Sequence, residues 1–328
     1  MKESLTPEKI QKDFSTGDLS KENAAELLIS LIESSDNAEI RVDSIKALEK
    51  INFQNENIFK ILENYLISDE NAVIRASVAS YIIENFPEDG LSAFRWVIQH
   101  EDSPLVMKIF FDAIEKLGNP QLKLIEKDLT NWIDKYATKI GIVPREAIFF
   151  LDLEACFAKG KRKYKIDPIF YKHFEKLSNI KNGEPWLVIK NKHVNVLNLN
   201  YFTWKWVKEN SDIVNSLYKF KYLDAYFNSL NKYNINDKDF FEIPNSIGKL
   251  TYLKKLTLMR NRLQKIPESL GALNSLKELD LSYNNFYEIP QIIGGLNSLE
   301  KLNLKGNKIQ KIPDSLRLFL DSLENFIY

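Results

Sequence analysis

Residues 276–290 read LKELDLSYNNFYEIP. The stretch 253–267 reads LKKLTLMRNRLQKIP, and 299–313 reads LEKLNLKGNKIQKIP, so the step between them is twenty-three residues each way. The apolar letters, the Asn and the Ile-Pro recur, while the letters between them change. Such a fixed step marks a chain built from stacked copies of one short unit. L-x-L alternates with period two, which predicts a short strand with its leucines inward and the interleaved residues outward. The anchors are Leu253, Leu256, Leu258, Asn261, Leu263, Ile266 and Pro267, then the same set twenty-three and forty-six residues on. A unit this short has no interior of its own, so its leucines are covered only by its neighbours. The expected result is one parallel sheet. The Asn falls where the chain leaves the strand, and its amide can satisfy backbone groups of that turn and the next. Pro lacks a donor and fixes φ, which suits a return segment outside the sheet.

The pattern resembles the leucine-rich repeat family over 250–316, in the subclass with I/L-P-x-x-L/I-G-x-L returns: PNSIGKL, PESLGAL and PQIIGGL. The resemblance implies an α/β solenoid of about five or six repeats with a concave parallel sheet. It also implies a scaffold that binds a protein or peptide, such as a small GTPase or another signalling protein. Weaker copies flank the core. Leu223, Ala225 and Asn228 match an earlier unit, separated from the next by an insertion near NKYNINDKDFF. Leu197 and Leu199 match one earlier still, with Phe202 in place of the Asn. WLVIKNKHVNVLNL at 186–199 reads as a hairpin turning at KNKH and covering the first edge. At the other end Leu320, Leu323, Phe326 and Tyr328 take the anchor places, so the chain closes on a strand. That edge is either shielded by its aromatics or open to a partner strand, including that of a second copy; the expectation is a shielded monomer.

Residues 21–140 read as successive helices with apolar residues at three- and four-residue spacing. Asp36, Asp69 and Asp102 recur at a second fixed step, each expected to cap a helix N-terminus. Basic residues follow at Arg41, Arg75 and Lys108. This resembles HEAT repeats, which implies an all-α solenoid tied by an Asp/Arg ladder. An anion-binding stripe is the alternative role for the three cations, and the ladder is favoured. The expected organisation is 1–140 HEAT-like repeats, 141–190 a helical connector and N-terminal cap, and 191–328 leucine-rich repeats. Within the connector, DPIFYKHFEKL is the expected cap helix. KGKRKYK is a solvated loop or a phosphate or acidic-peptide site. YFTWKW at 201–206 suits cap packing better than ligand stacking.

Forty-five basic and forty-five acidic residues cancel, so the total charge offers no footprint for nucleic acid or an anionic membrane. The single cysteine fits a reducing compartment and excludes an internal disulfide framework. The start lacks a signal-peptide core and no apolar run is long enough to span a bilayer. A cytoplasmic location is expected. His100, His173 and His193 have no metal-ligand spacing, no catalytic motif occurs, and Cys156 in LEACFA reads as a buried core residue. No cofactor is expected. The function expected is non-enzymatic; the alternative is a HEAT-type lyase or DNA-glycosylase-like enzyme targeted by the leucine-rich half.

Outward strand positions, counted by register, supply the partner-binding candidates. The early strands offer Tyr201, Tyr222, Asp224, Tyr226 and Phe227. The middle ones offer Lys255, Thr257, Met259 and Arg260, then Glu278, Asp280 and Tyr283, with Lys305 beyond. Tyr and Arg are favoured at interface hot spots.

Overall fold

The structure, a computed structural model, describes residues 5–117, 120–160, 187–199, 243–259 and 261–328. It divides into two compact units, Met1–Trp132 and Ile133–Tyr328.

The first unit is helical: α1 (Pro7–Thr16), α2 (Lys21–Ser34), α3 (Ala38–Ile51), α4 (Glu56–Ser68), α5 (Ala72–Asn85), α6 (Leu91–His100) and α7 (Pro104–Leu117). Side-chain oxygens start five of them. Thr6, Ser20, Asn37, Asn55 and Asn71 each accept an N–H of the first turn. Pairs α2/α3 and α4/α5 pack together, α5 also packs on α3 and α7, and α4 packs on α6. Leu28, Ile45, Leu62, Val78, Phe94 and Phe110 fill the interior. Tyr81 is buried with them and donates its hydroxyl to the Phe53 carbonyl at 2.9 Å.

The expected caps require correction. Asn37 and Asn71, not Asp36 and Asp69, cap α3 and α5. The equivalent positions are Ser35, Asp69 and Glu101, whose side chains accept the N–H two residues on, from Asn37, Asn71 and Ser103. A carboxylate there also faces the preceding pair of helices. Asp69 accepts from Arg41, and Glu101 holds Arg75 through two bonds of 2.7 and 2.8 Å. Lys108 instead bonds Asp112 of its own helix, so the inter-pair ladder has two rungs among the described residues. Lysine lacks the planar fork that makes the Arg75 bond bidentate.

Glu49 on α3 lies beside Glu84 of α5. Burial, then the hydrogen bond and charge of Glu84, push its carboxyl from 4.5 up to about 7. A raised folded pKa stabilises the protonated form. Its contribution is complete below the unfolded value and is lost as pH rises through 7. Glu49→Gln is therefore expected to flatten the pH dependence of the urea midpoint between pH 5 and 8. At pH 8 it is expected to gain about 1 kcal/mol, a figure discounted because the site is half-exposed.

Among its described residues the second unit contains α9 (Pro144–Gly160) and six strands: β1 (Leu187–Lys190), β2 (His193–Asn198), β3 (Lys255–Thr257), β4 (Glu278–Asp280), β5 (Lys301–Asn303) and β6 (Asn325–Ile327). α8 (Glu126–Ile140) carries the chain across the division. The sheet order is β1 to β6, with β1 antiparallel and every later pair parallel. Leu256, Leu279 and Leu302 share one register row. β3, β4 and β5 are each followed by a return carrying a short 3-10 turn opened by Pro (Glu268–Ala272, Gln291–Gly295 and Asp314–Leu316), and a like turn, Asn245–Lys249, precedes β3. Glycine closes these returns together. A Cβ on Gly248 would stand 2.5 Å from the Ser269 carbonyl oxygen of the next return. The inward leucines are buried; Ile309 and Ile312 of the last full repeat are only partly covered.

The conserved-step Asn works as expected, except that it reaches back rather than forward. Asn284 accepts the N–H of Asn261 and Leu263 at 2.9 and 3.0 Å and donates to the Leu258 and Leu281 carbonyls. Asn307 repeats this on Phe286, Leu281 and Leu304, and Asn261 donates to Leu199.

β2 and β3 are direct neighbours, with Leu197 opposite Leu256. The early repeat expected at Leu223, Ala225 and Asn228 lies outside the described residues. Residues 200–242 lie outside the described residues, as does the expected cap helix at 167–177. The first edge carries the hairpin expected from KNKH, turning through Asn191 and Lys192 at φ 53° and 64°. α9 packs against the first return, with Ser246 bonded to Asp152. Glu146, at the start of α9 and buried, accepts the Val194 N–H at 2.7 Å and holds His193 Nδ1 at 2.8 Å. Val143 N–H closes the contact on the Lys192 carbonyl, and Tyr252 stacks on the His193 ring. Cys156, expected in the core, is exposed.

Candidate partner-binding face

Parallel pairing fixes the outward residues in columns. One column runs Val196, Lys255, Glu278, Lys301 and Asn325; the next runs Asn198, Thr257, Asp280, Asn303 and Ile327. In the first, Glu278 is clamped from both sides, by Lys255 Nζ at 3.2 Å and Lys301 Nζ at 3.0 Å. The Lys301 hydrogen bond, with support from Lys255, holds the Glu278 carboxyl below its ordinary value against the opposing effect of burial. In the second column Asp280 accepts from Ser282 N–H at 2.9 Å and from Asn303 Nδ2 at 3.3 Å, and Thr257 is buried. The structure thus brings Lys255, Thr257, Glu278 and Asp280 onto one sheet face. Their charges largely compensate one another.

Beyond the strand ends, Met259 is half-buried and Lys305 is exposed. Tyr283 is 42% exposed and sits at φ 55°, a left-handed backbone that costs a bulky residue about 1–2 kcal/mol. Its ring lies over Gly306, the same position one repeat later, where an added Cβ would stand 2.6 Å away. Strain of this kind accumulates at functional positions. Tyr201, Tyr222, Asp224, Tyr226, Phe227 and Arg260 lie outside the described residues.

Two features stand outside the candidates. Lys301, an outward position by the same register count, completes the clamp on Glu278, a pairing that needs side-chain reach to see. Tyr287 is 60% exposed under Lys308, whose ammonium lies 5.2 Å from the ring centre. Its position in the repeat, between strand and Pro, was the available signal. Among the described residues no cluster of three His, Cys, Asp or Glu side chains could hold a metal ion. No described helix is long and apolar enough to cross a membrane.

Residues 247–317 match the family model described as leucine rich repeat, so this part of the chain carries leucine-rich repeats. A solved leucine-rich repeat protein of Leptospira interrogans is similar at 23% identity and a TM-score of 0.25, covering 40% of this chain and 44% of that one. This chain thus spans less than half the length of that protein. No curated protein matches.

Proposed function

We propose that this protein is a non-enzymatic, cytoplasmic interaction scaffold joining a HEAT-like helical solenoid to a leucine-rich solenoid. It takes a protein or peptide partner, such as a small GTPase or signalling protein, on the concave sheet face. Leucine-rich domains are generally protein-interaction modules, and the observation that carries the reading is the exposed, strained Tyr283 just past the end of the strand whose Glu278 is held by Lys255 and Lys301. A preorganised polar row with an exposed aromatic at its end suits an interface hot spot. Two repeat modules on one chain raise the effective concentration of a partner that touches both. The test is affinity capture with wild type beside Tyr283→Ala and Glu278→Lys variants of unchanged melting temperature. A partner lost in both variants supports the concave face; one retained by both overturns it. The rival lyase or glycosylase reading requires a cleft lined by a perturbed acid in the helical half, where Glu49 is the carboxyl raised among the described residues.

A further inference from the structure

The zero net charge conceals a segregation. Residues 1–132 hold 14 of the 45 Lys and Arg but 24 of the 45 Asp and Glu, a net −10, which leaves +10 on residues 133–328. Within the described repeats the cations are further sorted by position. The segments between each strand and its Pro carry Arg262, Lys265, Lys305, Lys308 and Lys311 against one acid, Glu288. The segments from each Pro to the next strand carry Lys249, Lys254, Lys277 and Arg317 against Glu268, Glu300, Asp314, Asp321 and Glu324, so there the acids outnumber the cations.

The two groups also differ in what they touch. On the sheet face Lys255 and Lys301 both pair with Glu278, and in the lead-in segments Lys277 pairs with Glu300 while Lys254 stands exposed without a carboxylate partner among the described residues. Lys265, Lys305, Lys308 and Lys311 are exposed and meet no carboxylate among the described residues. Their segments lie side by side, since Asn285 N–H bonds the Leu263 carbonyl and Lys308 N–H bonds the Phe286 carbonyl, both at 2.8 Å. Tyr287 stands among them, exposed.

We infer that this strand-exit flank is a second interaction surface, whose ligand is an acidic segment of a protein. Uncompensated lysines beside an exposed tyrosine suit carboxylates interspersed with apolar side chains. The patch crosses three repeats, about 10 Å at ordinary strand spacing, which is short for a duplex. Glu288 in the middle row repels a continuous run of phosphates but fits between discrete carboxylates. Four of the five cations are lysines rather than the arginines that grip phosphate in a bidentate fork. This surface adjoins the concave-face candidates at Lys305, whose carbonyl accepts the Tyr283 N–H, while Lys265, Lys308, Lys311 and Tyr287 are not among them, so a variant confined to those lysines tests it apart from the reading above.

The experiment uses the full chain and a fluorescein-labelled Glu/Leu peptide, followed by anisotropy. A Gln/Leu peptide and a single-stranded oligodeoxynucleotide of equal charge run beside it. The expected result is salt-sensitive binding of the Glu/Leu peptide. It weakens at least tenfold in the triple variant Lys265→Glu, Lys308→Glu, Lys311→Glu and is unchanged in Lys254→Glu. The Lys→Gln triple variant should fall between, which separates lost charge from lost folding. Equal binding of the Gln/Leu peptide, an unaffected triple variant, no binding at all, or tighter binding of the oligonucleotide would each overturn the proposal. Peptide binding that survives while the Tyr283→Ala variant still captures every partner would leave this surface standing and remove the concave one.

Discussion

Asn284→Ala is expected to lower the stability of the leucine-rich unit by about 3 kcal/mol, or about 8 °C in melting temperature. Asn284 is 4% exposed, and its amide serves two backbone N–H groups and three carbonyls across two repeats. Alanine leaves all of them without their partner in an interior that admits little water, and each unmet buried group costs about 1–3 kcal/mol before relaxation. Asn307→Ala should cost less, because its position is half-exposed and water can replace part of the bonding. Urea unfolding followed by tryptophan-independent far-UV signal measures both. Equal losses in the two variants would show that the amide bonds to the preceding repeat do not carry the stability assigned to them.

Glu146→Ala is expected to cost a similar amount, about 3 kcal/mol, and to act locally. Its carboxylate is buried and joins α9 to the hairpin through Val194 N–H and His193. Removing it strands a buried amide and a partly buried imidazole at the first edge of the sheet. Hydrogen exchange should then quicken at Val194 and at Val143, whose N–H bonds Lys192 in the same turn. Glu146→Gln keeps one acceptor and should show a smaller effect. Unchanged exchange at Val194 in the alanine variant would remove the clasp from the account of how the repeat array is capped.

The ladder of the helical unit shows why a spacing argument goes partly astray. The acids at Asp36, Asp69 and Asp102 recur at one step, yet the structural equivalents are Ser35, Asp69 and Glu101. Helical repeats are held by apolar faces that tolerate a residue more or less in the turns, so periodicity fixes the helices better than the polar links. In the sheet the tolerance is far smaller, because a one-residue slip would turn every leucine outward. That is why Leu256, Leu279 and Leu302, Asn284 and the Pro-opened returns were legible from letters alone.

What the sequence determined by itself was whatever recurs. A residue type held at a fixed step must meet the same surroundings in each unit, so the inward leucines, the turn asparagines and the parallel sheet follow. The hairpin followed as well, since its alternation and its turn are local. The tertiary structure alone decided what joins segments of unlike pattern. Glu146 meets His193 across forty-seven residues, and β2 pairs directly with β3. It also decided which lysines find a carboxylate and which do not. Those outcomes depend on side-chain reach and on how non-repeating segments approach in space, and no spacing along the chain encodes either.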